Sequence, residues 1–68
     1  MNWNKVFDNW YESFNNGEWF MIRFIRGKWE LTWAKWFELE WKYIGRDIGQ
    51  FNTFEEAQNK AIYGLYSL

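Results

Sequence analysis

Residues 29–44 read WELTWAKWFELEWKYI, and the fold turns on how this stretch is divided. Its apolar residues fall at Trp29, Leu31, Trp33, Phe37, Leu39, Trp41 and Tyr43, with Glu30, Thr32, Glu38, Glu40 and Lys42 between them. That period of two marks strands with one buried face. Sixteen residues exceed one ordinary strand, so the pattern predicts a three-residue loop at Ala34-Lys35-Trp36. The loop pairs Trp33 with Phe37, Leu31 with Leu39 and Trp29 with Trp41. A two-residue loop would set Glu38 opposite Leu31 and turn a carboxylate into the core.

Working outward, residues 18–26 form an apolar run interrupted by Arg23, and Phe20, Met21, Ile22, Phe24 and Ile25 favour a strand. Gly27-Lys28 then predicts a type II′ hairpin turn, with Phe24 facing Leu31 and Ile22 facing Trp33. The expected core face carries Phe20, Ile22, Phe24, Leu31, Trp33, Phe37, Leu39, Trp41 and Tyr43, with Trp29 at its end. The opposite face carries Trp19, Met21, Arg23, Ile25, Glu30, Thr32, Ala34, Glu38, Glu40, Lys42 and Ile44. In residues 2–16, Trp3, Val6, Phe7, Trp10, Tyr11 and Phe14 follow the spacing of an amphipathic helix. Asn2 would cap its start and Asn15-Asn16-Gly17 its end.

Gly45-Arg46-Asp47-Ile48-Gly49 reads as a loop. Thr53 with Glu56 forms a capping box for a second helix, whose stripe is Phe54, Ala57, Ala61, Ile62, Leu65 and Leu68, with Gly64 either weakening its last turn or permitting close packing. The expected fold is thus α+β: a three-stranded antiparallel sheet flanked in sequence by two helices (α-β-β-β-α), both packed on one sheet face.

Sixty-eight residues bound this to a single domain, 1–68, near the size at which one core barely outweighs chain entropy. There is no Cys and no His, so neither a disulfide nor a Cys/His zinc site can staple it. Seven Trp, seven Phe and four Tyr compensate, because each aromatic side chain can bury about 150–250 Å². The net charge of −1 argues against both a strongly basic nucleic-acid binder and an acidic DNA mimic. The first residues lack a signal-peptide pattern and no run reaches the length of a membrane span, so the expectation is a soluble cytoplasmic protein without membrane contact.

The residue types also count against catalysis: no His or Cys supplies acid–base or nucleophilic chemistry, and Ser13 and Ser67 have no base in view. Glu30, Glu38 and Glu40 would share a strand face, but Arg23, Lys28 and Lys42 beside them make an ordinary solvated surface. No catalytic, metal or cofactor residue is assigned. Arg23, Arg26, Lys28, Lys35, Lys42 and Arg46, interleaved with Trp, keep a DNA-binding sheet in play as an alternative. Phe51-x-Thr53-x-x-Glu56-Ala57 after three strands resembles the arm-type DNA-binding domains of phage integrases over about residues 18–64. That resemblance implies a basic sheet facing DNA, whereas Glu30, Glu38 and Glu40 occupy the corresponding face here.

The aromatic surplus points instead to recognition of a protein. Trp36, Trp19, Met21 and Ile25, ringed by Arg23, Glu30, Glu38 and Lys42, form the expected partner-binding surface, since Trp, Met and Arg are enriched at interface centres. In size and style the chain resembles the small accessory proteins that phages and mobile elements encode against host factors, including anti-CRISPR proteins. The resemblance implies a non-catalytic inhibitor that occludes a host protein or protein complex in the host cytoplasm. A structural homodimer through the same face is the other alternative.

Overall fold

The structure, a computed structural model, describes residues 1–64 and 66. Among these residues five strands, β1 (Asn4–Phe7), β2 (Trp10–Asn15), β3 (Glu18–Ile25), β4 (Lys28–Phe37) and β5 (Lys42–Phe51), form one antiparallel sheet in chain order, and a single helix, α1 (Phe54–Tyr63), follows. Strand accounts for 58% of the described residues and helix for 15%, so they are mostly β. This replaces the expected three-stranded sheet between two helices.

The first correction lies in residues 2–16, which form the β1–β2 hairpin rather than a helix. The chain reverses at Asp8-Asn9, with Asn9 at φ 59°. Each strand alternates with period two, and the turn between them resets the phase, so the combined spacing imitates a helical stripe. Those residues do not share a face. Tyr11 pairs with Ile22, whereas Trp10 pairs with Arg23 and Phe14 with Trp19 on the other side of the sheet. Asn16-Gly17, at φ 50° and 79°, joins β2 to β3 as a type I′ turn instead of ending a helix.

The β3–β4 turn is Arg26-Gly27, at φ 53° and 81°, in place of Gly27-Lys28. Both central residues are left-handed, as a type I′ turn requires. Ile22 therefore pairs with Leu31 and Phe20 with Trp33, two residues from the expected partners. Because the side-chain period is two, this shift leaves the β3 residues and residues 30–34 of β4 on their expected faces.

The expected break at Ala34-Lys35-Trp36 is absent. β4 continues to Phe37, and the Trp36 N–H donates to the Gly17 carbonyl at 2.8 Å. The chain turns over residues 38–41, and Gly45-Arg46-Asp47-Ile48-Gly49 lies inside β5 rather than in a loop. Trp33 now pairs with Arg46, Leu31 with Gly49 and Trp29 with Phe51. Two ten-residue strands give their backbones mutual partners over almost their whole length, which a break after Trp33 would forfeit. Leu39 and Trp41 consequently leave the expected core and are 99% and 80% exposed, while Tyr43 moves to the opposite face.

On the covered face, α1 lays Ala57 and Ala61 over Phe20, Ile22, Leu31 and Trp33, all buried. The two alanines let the helix axis approach these large side chains closely. The capping box starts where expected, with Thr53 Oγ1 accepting the Glu56 N–H at 3.1 Å. Phe54 is surrounded by the rings of Trp3, Tyr11 and Trp29, at centroid distances of 6.2, 4.5 and 5.3 Å. The helix stops at Tyr63, and the Gly64 N–H donates to the Lys60 carbonyl at 2.8 Å. Leu65 and Leu68, expected in the helical stripe, lie outside the described residues. No helix among the described residues is long and apolar enough to cross a membrane.

Candidate functional site

With one helix instead of two among the described residues, none of them places a helix over the other face of the sheet. Strand alternation sends Trp10, Glu12 and Phe14 from β2 to this face, then Trp19, Met21, Arg23 and Ile25 from β3, and Glu30, Thr32, Ala34 and Trp36 from β4. β5 adds Tyr43, Gly45 and Asp47. Phe14, Trp19, Ala34 and Gly45 are consecutive partners along one row across four strands. The two smallest of them form a floor, and the flanking rings close over it until Ala34 is only 4% exposed.

The result is a continuous aromatic cluster at one end of the face. Phe14, Trp19 and Tyr43 stand 6.4 Å apart pairwise, and Trp36 meets Tyr43 edge-on at 5.1 Å. Trp41, in the β4–β5 turn, then stands edge-on to Trp36 at 6.1 Å. Trp41 holds φ at 52°, a conformation a bulky residue seldom adopts. The turn thereby lifts Leu39 and Trp41 beyond the end of the sheet as an apolar knob continuous with the cluster.

Polar contacts hold the rest of the face in place. Both oxygens of Glu12 accept indole N–H groups, from Trp10 at 2.9 Å and from Trp19 at 3.1 Å. The Arg23 guanidinium lies 5.7 Å above the Trp10 ring, within cation–π range. Thr32 donates its hydroxyl to Asp47 at 3.0 Å across β4 and β5. A carboxylate that orients two indoles at once fixes their rotamers, so this surface is ordered before any partner arrives.

Of the eight residues expected to bind a partner, six fall together on this face: Trp36, Trp19, Met21, Ile25, Arg23 and Glu30. Trp36 lies in β4 rather than in a loop. Glu38 sits in the β4–β5 turn, and Lys42 opens β5 opposite Phe37, with its ammonium 3.5 Å from Glu40. Glu30 pairs with Gln50 rather than Glu40, so the three strand carboxylates are not gathered, and no cluster of three potential metal ligands exists among the described residues. Ser13, expected near a helix end, is fully buried in β2, opposite Phe20 on the covered face. Ser67 lies outside the described residues.

Sequence reasoning missed Trp10, Phe14, Tyr43, Trp41 and Leu39 as parts of this surface. The signal for the first two was the alternation of Trp10, Glu12 and Phe14 against Tyr11 and Ser13, followed directly by Asn16-Gly17, a strong hairpin pair. For the others no local signal existed, because their placement depends on where β4 ends.

No protein-family model, no curated protein sequence and no solved structure matches this chain. The likenesses to phage accessory and anti-CRISPR proteins and to integrase arm-type domains gain nothing from these comparisons. The five-stranded sheet also departs from the three strands on which the integrase likeness rested.

Proposed function

We propose that this chain is a non-catalytic recognition module that binds another protein through its uncovered aromatic face and the β4–β5 knob. One observation carries the reading: Leu39 and Trp41, 99% and 80% exposed, are presented on a turn with a left-handed Trp and backed by an ordered cluster of four aromatic rings. An apolar anchor on a rigid base, with half-buried Trp around it, has the composition of an interface centre. The face carries Arg23 and Lys28 against Glu12, Glu30 and Asp47, a balance that suits a protein better than a polyanion. Binding by such a preformed surface acts by covering the partner's own surface, with no chemistry on it.

The test uses the Leu39→Ser/Trp41→Ala double variant beside wild type. Both side chains are exposed, so melting temperatures should nearly coincide. A protein captured one-to-one by wild type should bind the variant more weakly by about 2 kcal/mol or more, the scale of an interface hot spot. Equal binding by both would refute the placement of the site. A stable wild-type dimer that the variant disperses, seen by light scattering, would reassign the face to self-association. Salt-sensitive retardation of duplex DNA would reassign it to nucleic acid.

A further inference from the structure

The two edges of the sheet are built differently. β1 is four residues long and interrupted by a bulge between Lys5 and Phe7, both common devices for blunting an edge. β5 is ten residues long, and its one irregularity lies between the partners of Leu31 and Thr32, with Ile48 as the extra residue. Residues 42–47 therefore run as a regular strand that, among the described residues, is paired on one side, to β4. On its outer side alternate residues turn N–H and C=O groups toward solvent, the template for an added strand.

A cavity of about 310 Å³ opens where this regular run meets the bulge, lined by Arg46, Asp47, Ile48, Lys60 and Tyr66. Its charge is predominantly positive. Arg46 and Lys60 make no ion pair with any described residue, and the Asp47 carboxylate accepts the Thr32 hydroxyl. The Tyr66 hydroxyl donates to the Lys60 carbonyl, which fixes one wall of the cavity. We infer that the β5 edge is a second binding surface, at which an extended segment of another protein adds as a sixth strand and places an acidic side chain between Arg46 and Lys60.

The two parts of the site supply different things. Main-chain hydrogen bonds along residues 42–47 provide sequence-independent affinity, and the basic cavity at the bulge provides selectivity and register. Antiparallel self-pairing of a second copy centred on Arg46 or on Asp47 would set like charges opposite each other, and centred on Gly45 it would set Ile44, not an acidic side chain, opposite Arg46. This edge adjoins the aromatic face, since β5 also carries Tyr43 and Asp47, but its test does not depend on Leu39 or Trp41.

The probes are three fluorescent heptapeptides of alternating Thr and Val whose central residue is Glu, Gln or Lys, titrated by anisotropy and followed by amide chemical shifts. The Glu peptide should bind tightest and the Lys peptide weakest, separated by about tenfold or more. Shifts should concentrate on β5 and the end of α1. Arg46→Gln with Lys60→Gln should abolish the preference for Glu while the residual affinity for the Gln peptide persists. N-methylation of alternate peptide amides should remove binding by all three. Failure of every peptide to bind at about 1 mM, an affinity order indifferent to charge, shifts confined to the aromatic face, or a wild-type dimer joined through β5 would each overturn the inference.

Discussion

Replacing Gly45 with alanine probes a close cross-strand approach, that of β5 to Ala34 in β4. A Cβ at Gly45 would lie 2.6 Å from the Ala34 Cβ and 2.8 Å from the Ala34 Cα, and would press on the Trp33 carbonyl oxygen. Directly opposed Cβ atoms in a sheet normally stand about 4.5–5.5 Å apart, so the shortfall is about 2 Å. The obstacles are backbone atoms and a methyl group fixed to them, so no rotamer change relieves the clash and β4 and β5 must separate or twist. Overpacking of this kind costs about 1–3 kcal/mol. The upper half of that range applies, because Ala34 sits beneath the aromatic cluster with no room to retreat. At about 4–8 °C per kcal/mol for a domain this small, 2 kcal/mol lowers the melting temperature by about 8–16 °C. The alternative predicts the opposite sign: in a flexible loop, Gly→Ala raises stability by about 0.4–1 kcal/mol through the unfolded chain. Thermal unfolding followed by circular dichroism decides between them. Gly49→Ala is the control, since its Cβ would meet only the Phe51 ring, at 3.7 and 3.8 Å, and should move the transition far less. An unchanged or raised melting temperature for Gly45→Ala would refute the continuous β5 and the close β4 contact behind it.

Trp33→Ala removes the largest fully buried side chain, one stacked on Tyr66 at 5.5 Å, and should cost about 3–5 kcal/mol, most of the stability available to a domain of this size. A urea midpoint close to wild type would show that the helix-covered core is misplaced. Thr53→Ala removes the N-cap of α1 and should cost about 1 kcal/mol, with Thr53→Ser restoring most of it; no loss would mean that the cap contributes nothing. Burial, and secondarily the Glu18 carboxylate, raises the pKa of the Tyr66 phenol above its ordinary value. The folded state therefore keeps a proton that the unfolded chain releases, so this contribution to stability is complete below about pH 10 and is lost as pH rises through the folded value. Denaturant midpoints measured at alkaline pH should fall more steeply for wild type than for Tyr66→Phe, and parallel slopes would rule the linkage out.

Some of this was legible in the chain and some was not. The facing of β3 and β4 survived a turn misplaced by one residue, because a register error of two leaves a period-two pattern on the same side. The Thr53 capping box was readable because its hydrogen bond spans only three residues. The candidate site was half legible for the same reason: Trp19, Met21, Arg23 and Ile25 follow from alternation within one strand. Trp10 and Phe14 were assigned to a helix because a hairpin of two short strands and a helix can place apolar residues at the same spacings. Local patterns encode period, and where a turn resets the phase the period alone is ambiguous.

By itself, then, the sequence determined the strand character of its centre, the start of α1, and an aromatic content greater than a single small core can hide. Only the tertiary structure decided where the long central run ends. Carrying β4 through Ala34-Lys35-Trp36 gives its backbone a ten-residue partner, draws Gly45 against Ala34 and puts the reversal at residues 38–41. That choice depends on hydrogen bonds and close packing between residues about ten or more apart in the chain, which no window of neighbours contains. It also fixes the candidate site, because the same extension that buries Trp33 on one face expels Leu39 and Trp41 from the core and raises Trp36 and Tyr43 on the other.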